Sequence, residues 1–319
     1  MPMLLITGGA GFIGTHLTRI AIAQGWKVRV LDNLTTAISS KNDHLEAWGA
    51  EVLLGDVRDE TVCFAAVDRC DAVVHLAAQV SVPRSMEFPE ETHEVNVEGT
   101  ANLLKACRSL GVTRFVMASS AAVYGNSEMF PAEEQHVGEF HSPYADSKWT
   151  NEQQVRRAKN EGMEAIALRL FNVYGPGQRH DGAYAAVIPK FIDQTLKGEP
   201  VTVFGDGLQT RDFVHVDDVS RAFLMLATEP WQQALEPVYN VCTEKEISML
   251  ELVNRIHNVL KDVAPTIPRP TPNHEAARKG DVIRSVGSNK RLTRDTAWRP
   301  LFEFERGLCE QILHRIQDG

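Results

Sequence analysis

Tyr144 and Lys148 lie four residues apart in Ser142-Pro143-Tyr144-Ala145-Asp146-Ser147-Lys148. On a helix that spacing puts both side chains on one face, a turn apart. A free phenol ionises near ~10 and is a poor base at neutral pH, but a fixed ammonium and a positively charged electron acceptor beside it would both stabilise the phenolate and lower that value. Ser142 is a good helix cap, and Pro143 is favoured as the first helical residue. Upstream, Met117-Ala118-Ser119-Ser120 ends an apolar run, where the Ser120 hydroxyl could complete a proton path with Tyr144. The spacing Tyr-x-x-x-Lys also arises by chance in many helices. It becomes redox chemistry on a carbinol only beside an electron acceptor.

The start of the chain supplies a place for one. Met3–Ile6 reads as a strand, and Thr7-Gly8-Gly9-Ala10-Gly11-Phe12-Ile13-Gly14 follows it, satisfying G-x-G-x-x-G through residues 9, 11 and 14. Such glycines allow a tight turn and a close backbone approach, so a pyrophosphate can meet a helix N-terminus. Asp32 closes the next strand at the distance where a carboxylate meets the adenosine ribose hydroxyls. Asn33, Leu34 and Thr35 come next, with no arginine to receive a 2′-phosphate, which favours NAD over NADP. Asp56, before Val57, ends the third strand and is expected to face the adenine amine. Leu76, Ala77 and Ala78 follow the fourth strand and leave room for a cofactor backbone. His75 before them reads as a core histidine rather than a catalyst. The candidate cofactor set is therefore Gly8, Gly11, Phe12, Ile13, Asp32, Asn33, Asp56, Val57 and Leu76–Ala78, with Tyr144 and Lys148.

These residues need a scaffold that brings strand ends together. Strand-like runs at 3–6, 27–31, 51–54, 72–76, 114–118 and 165–169 alternate with helical patterns near 12–24, 60–68, 92–110 and 144–161. That alternation predicts an α/β fold, a Rossmann-like doubly wound parallel sheet with helices on both faces. Past residue 175 the chain loosens into Gly/Pro-punctuated segments. This divides it into a dinucleotide-binding domain over 1–172 and a smaller C-terminal α/β substrate lobe over 173–319. Segments near 210–241, Phe213–Val216 and Val238–Val241, are expected to return to the main sheet.

With 319 residues, 43% of them hydrophobic, the chain can bury a large core. Its apolar runs are strand-sized, well short of the ~20 residues that cross a bilayer, so no membrane association is expected. A net charge of −9 argues against a nucleic-acid surface. An anionic substrate would then need local cations. Five cysteines (63, 70, 107, 242 and 309) form no CxxC pair. They fit a reducing cytoplasm, and the strand at 3–6 leaves no room for a signal peptide. No metal site is expected.

The chain resembles the extended short-chain dehydrogenase/reductase family, specifically its nucleotide-sugar 4-epimerases of the UDP-galactose 4-epimerase type. The resemblance runs through Thr7–Gly14, Asp32-Asn33-Leu34, Gly55-Asp56, His75–Ala78, Asn96, Ser119–Gly125 and Tyr144/Lys148. It continues through Arg169–Pro176, Phe204–Gly207, Thr210–Phe213, Arg278–Asp281 and Trp298-Arg299-Pro300. It implies that Asn172, Arg211 and Arg278 grip a diphosphate, that Asp281 meets the uridine ribose and that Phe204 neighbours the uracil. Tyr144, helped by Ser120, would take the proton of the sugar 4-hydroxyl as hydride leaves carbon 4, giving a 4-keto sugar that turns over and is reduced from the other side. Relatives that dehydrate carry Asp-Glu after the strand-end Ser/Thr, whereas here Ala121 and Ala122 stand there. Related decarboxylases typically have a glutamate in this stretch, and 4-ketoreductases usually prefer NADPH, which Asp32 opposes. Ser81-Val82-Pro83-Arg84-Ser85 is similar to a loop of UDP-N-acetylhexosamine epimerases, which places Ser81 and Arg84 at the substrate, and Arg84 leaves a uronic acid open. A small Ser285 also suits N-acetylated sugars. Gly287 stands where relatives usually have aspartate, a departure expected to affect helix capping. Helices 92–110 and 144–161 resemble the pair that forms a homodimer interface in the family. A noncatalytic NAD-binding protein on this fold would tend to lose the tyrosine, lysine or serine, and this chain retains all three.

Overall fold

The computed structural model describes residues 1–35, 40–179, 186–231, 233–277 and 282–318. In chain order the first half runs β1 (Met3–Thr7), α1 (Phe12–Ala23), β2 (Lys27–Asp32), α2 (Ser40–Ala47), β3 (Glu51–Leu54), α3 (Glu60–Val67) and β4 (Ala72–His75). Short helices α4 (Val82–Glu87) and α5 (Pro89–His93) lead through a π-helical turn, Glu94–Glu98, into α6 (Gly99–Leu110). Then come β5 (Arg114–Ser120), α7 (Pro143–Asn160) and β6 (Glu164–Leu170). The second half contains β7 (Asn172–Tyr174), α8 (Val187–Leu196), β8 (Thr202–Phe204), β9 (Thr210–His215), α9 (Val216–Thr228), β10 (Val238–Val241) and β11 (Glu246–Ser248). It closes with α10 (Met249–Val263), β12 (Asn273–Glu275), β13 (Arg284–Ser285), α11 (Lys290–Asp295) and α12 (Phe304–Asp318).

Seven strands form one sheet in the order β10-β6-β5-β4-β1-β2-β3, with every neighbouring pair parallel. Alternating side chains leave the two faces in different cores, as a pleated strand requires. Leu4 and Ile6 join Val30, Val74, Val116 and Phe223 on one side, while Leu5 joins Leu31, Val73, Phe115 and Met117 on the other. Burial on both faces explains why these strands read as continuous apolar runs. The strand order reverses at β1, which pairs with both β2 and β4. In open α/β sheets ligands bind in the crevice at the carboxyl ends of strands beside such a switch point.

The smaller lobe is built on β9, which pairs with β7, β11 and β13, with a separate β8–β12 pair alongside. The expectation that Phe213–Val216 rejoins the main sheet is therefore corrected. Phe213 packs its ring against Tyr174 and Phe304 at 6.3 and 5.7 Å, inside the small lobe's own core. The chain returns one element later. Helix α9 covers α1, β4 and β5, and β10 adds the edge strand beside β6 as expected. His16 on α1 helps join the lobes, with Nδ1 2.7 Å from Asp217 and Nε2 2.9 Å from the Pro176 carbonyl.

Two local features differ from the sequence expectation. The helix expected over 92–110 is interrupted by the π-helical turn that carries Asn96, a distortion common at functional sites. At Gly287 an added Cβ would sit 2.4 Å from the Phe171 ring, so this position has no room for an aspartate. Glu244 substitutes from the neighbouring loop, accepting from the Ser288 hydroxyl at 3.0 Å and the Asn289 amide at 2.8 Å.

Candidate active site

Two clefts open at the carboxyl ends of the strands and share Val80 and Val173 in their walls. The smaller, about 380 Å³, is lined by Gly8, Gly11, Phe12, Ile13, Asp32, Asn33, Asp56, Val57 and Leu76–Ala78, together with Ser120, Tyr144 and Lys148. Every cofactor candidate drawn from the sequence falls on this one surface. Gly8 has a φ of +68°, and a Cβ on it would lie 2.7 Å from the Ala77 amide. A Cβ on Gly14 would lie 2.3 Å from the Gly8 carbonyl. The glycines thus let the first turn nest against both its own helix and the loop after β4.

Asp32 braces that nest, its carboxylate accepting from the Ala10 amide at 3.0 Å and from the Leu34 amide at 2.8 Å. Asp56 is more occupied than its sequence suggests. It accepts from the Arg58 guanidinium at 3.0 and 2.8 Å, the Arg58 amide at 2.9 Å and Asn33 Nδ2 at 2.9 Å. Hydrogen bonding to Arg58 holds its carboxyl well below the usual carboxylate range. Arg58, unremarked in the sequence, is itself engaged by Asp56 and Glu94.

His75 is buried as a core histidine, and burial lowers its imidazole to about 3. The Thr100 hydroxyl donates to the Asn96 carbonyl at 2.6 Å, so it accepts from His75 Nε2 at 3.0 Å. Nδ1 is then the acceptor for the Thr7 hydroxyl at 2.6 Å, whose oxygen in turn receives the Ala77 amide at 3.2 Å. Asn96 was carried in the sequence only by resemblance, and its geometry gives it a task. It grips both backbone groups of Gln79, at 2.8 and 3.0 Å, and donates to Ser147 on α7 at 2.9 Å. The cofactor loop and the tyrosine helix are fastened through one amide.

On α7, Ser142 caps the helix as expected, accepting from the Ala145 amide at 3.2 Å. Lys148 is almost fully buried, and its Nζ lies 5.9 Å from the Tyr144 ring centroid and donates to the Ala118 carbonyl at 3.0 Å. Burial lowers the ammonium to about 8. Without a dinucleotide, burial raises the Tyr144 phenol, with a hydrogen bond to Ser120 acting in the opposite sense. The protein's own groups therefore hold Tyr144 protonated. A positive charge beside it from a bound dinucleotide would favour the phenolate.

The larger cleft, about 760 Å³, is lined by Asn172, Phe204 and Arg211, along with Lys190, which the sequence did not single out. Lys190 Nζ lies 5.8 Å from the Phe204 ring centroid. Asn172 donates to the Asp212 carbonyl at 3.1 Å, and Arg211 donates to the Thr210 and Val282 carbonyls at 2.8 and 2.6 Å. Arg278 and Asp281 lie outside the described residues. Ser81 and Arg84 line neither cleft. Ser81 Oγ accepts from the Arg84 amide at 3.1 Å to cap α4, and Arg84 forms a bidentate pair with Glu91 at 3.1 and 2.9 Å. The sequence could show a loop there but not which side chains its caps consume.

A glycine nest, Asp32 at the end of β2 and a Ser-Tyr-Lys set on one cleft are the arrangement of a nicotinamide-dependent site of the short-chain dehydrogenase/reductase type. The NAD dependent epimerase/dehydratase family model matches residues 4–242, and the chain belongs to that family as an NAD-dependent enzyme. It is 36% identical to the Thermus thermophilus UDP-glucose 4-epimerase solved in complex with NAD, covering 98% of both chains with a TM-score of 0.84. The UDP-N-acetylglucosamine 4-epimerase of Methanobrevibacter ruminantium, solved with UDP-N-acetylmuramic acid, matches at 30% identity and TM-score 0.91, covering 100% of this chain and 99% of that one. A UDP-N-acetyl-alpha-D-glucosaminuronate decarboxylase of Bacillus cytotoxicus is 30% identical over 97% of this chain and 96% of its own length. Relatives on this fold thus span more than one reaction.

Proposed function

We propose that the protein is a UDP-hexose 4-epimerase acting on UDP-glucose/galactose or UDP-N-acetylglucosamine/galactosamine. The observation that carries this is the pairing of clefts. Tyr144, Lys148 and Ser120 stand in the wall of the dinucleotide cleft, which shares Val80 and Val173 with the cleft that carries Asn172, Phe204 and Arg211. NAD held by the glycine turn and Asp32 would supply a hydride acceptor that returns the hydride after the sugar has turned. Tyr144 receives the proton of the 4-hydroxyl and gives it back, with Ser120 as its hydrogen-bond partner. Lys148, fixed by the Ala118 carbonyl, stabilises the phenolate. Asn172 and Arg211, with Arg278, hold the diphosphate while the sugar rotates about it, and Phe204 and Asp281 hold the uridine. Ala121 and Ala122 offer no carboxyl group to expel a neighbouring hydroxyl, so the keto sugar goes back to a carbinol rather than to an alkene.

The test is sugar NMR on protein incubated, without added cofactor, with UDP-glucose, UDP-N-acetylglucosamine and UDP-glucuronate separately. Interconversion of equatorial and axial 4-hydroxyl signals is expected with a neutral hexose and not with Tyr144→Phe. No interconversion in any of the three would overturn the proposal. The same reading makes the protein a homodimer through α6 and α7, to be checked by light scattering, and a resident of the cytoplasm, where its five free thiols would persist.

A further inference from the structure

Glu152 lies one turn beyond Lys148 and two beyond Tyr144 on the same face of α7, and like Arg169 its side chain is fully buried. Arg169 donates to both Glu152 oxygens at 2.8 Å, and the Ser119 hydroxyl donates to Oε1 at 2.6 Å. The remaining arm of Arg169 donates to the carbonyls of Glu134 and His136 at 3.2 and 3.1 Å, and its guanidinium lies 4.7 Å from the Tyr124 ring centroid. Ser119 and Arg169 face one another in the β5–β6 register, and Ser119 directly precedes Ser120.

A buried ion pair is seldom justified by stability, because desolvating two charges costs about what their attraction returns, and apolar replacements are often neutral or better. What this pair does uniquely is geometric. It ties three separately positioned segments to one point: the strand end carrying Ser120, the helix carrying Tyr144 and Lys148, and the loop that enters that helix. Hydrophobic packing alone leaves a helix free to slide or rotate slightly on a sheet, whereas a bidentate fork sets distance and angle together. We propose that Glu152, through Arg169 and Ser119, is a positioning residue that sets the register of Tyr144 and Lys148 against Ser120. It touches no reacting atom.

The decisive variant is the apolar pair Glu152→Leu/Arg169→Met, compared with Ser119→Ala and wild type. Each is characterised by thermal melting, by ultraviolet difference titration of the Tyr144 phenol against Tyr144→Phe in NAD-loaded protein, and by epimerase kinetics. The apolar pair is expected to melt within a few degrees of wild type. Its phenol should titrate at higher pH, and kcat should fall by about tenfold or more with KM within about threefold, as displacements of an ångström do. A well-folded pair with the wild-type titration and kcat would overturn the proposal. Should the pair not fold, Ser119→Ala, which leaves both charges in place, decides on the same two readouts, and no change in either would refute it. The kinetic arm rests on the epimerase reading. If wild type turns over no UDP-hexose, that reading fails, while the phenol titration still tests positioning.

Discussion

Lowering the pH should destabilise this protein through His75. The neutral imidazole bridges Thr7 and Thr100 in a buried site, donating from Nε2 and accepting at Nδ1. Its folded value of about 3 lies well below its ordinary 6.5. The unfolded chain therefore takes up a proton that the folded chain refuses, and the stability present above pH 6.5 is lost as pH falls toward 3. At 1.36 kcal/mol per unit, the full span is worth about 5 kcal/mol and the part lost by about pH 4.5 roughly 3 kcal/mol. Against a typical total of roughly 5–15 kcal/mol that is a large fraction. The assay is urea unfolding followed by tryptophan fluorescence at about pH 7.5 and about pH 4.5, on wild type and His75→Gln. The glutamine can keep the donor to Thr100 but leaves the Thr7 hydroxyl without its acceptor, at a cost of about 1–3 kcal/mol. The variant should be the less stable protein at the higher pH and should draw level with or overtake wild type at the lower. Parallel losses in the two proteins, within about 0.5 kcal/mol, would refute the reasoning. Because Thr7 also receives the Ala77 amide, bound NAD should be released at a higher pH than that of global unfolding.

Gly14→Ala should abolish copurification with NAD and cost about 1–3 kcal/mol in stability, since the new methyl would sit 2.5 Å from the Gly9 Cα as well as against the Gly8 carbonyl; denaturing the purified variant and assaying released NAD checks it. Asp218→Ala should lower stability by about 1–3 kcal/mol: the fully buried carboxylate accepts from the Leu301 and Phe302 amides, which lose their acceptor, and from the partly exposed Arg221. Thermal melting would show the drop, and an unchanged midpoint would refute it. Arg84→Ala should leave kcat/KM for neutral UDP-hexoses within about threefold and stability within about 1 kcal/mol, the worth of an exposed ion pair, because Arg84 is committed to Glu91. A larger kinetic loss would return Arg84 to the substrate site.

What was legible in the chain follows from how local each signal is. The glycine turn, Asp32 and the Tyr144/Lys148 pair are short motifs whose spacing already contains their geometry, and all of them line one cleft. The central strands of the first half were legible because burial on both faces makes each an apolar run; the edge strand β3 is only partly covered, yet Val-Leu-Leu still marked it. Phe213–Val216 carries an equally apolar signal, yet β9 belongs to the other sheet. An apolar strand records that it is covered and not by what. The π-helical turn at Glu94–Glu98 was not legible, because a single turn is too short a stretch to carry a periodicity of its own. Partner choice was least visible. Nothing near Arg84 in sequence announces that Glu91 consumes it, nor does Asp56 announce Arg58. The burial that raises the Tyr144 phenol in the absence of a dinucleotide was no more visible. A lysine one turn away can be read from spacing, whereas that burial is assembled from strands and loops across the whole domain. Glu152 shows how far the local rule does reach. It continues the four-residue step from Tyr144 through Lys148, so a carboxylate on the catalytic face was readable. That it ends against Arg169 and Ser119 follows only once β5 and β6 are placed side by side.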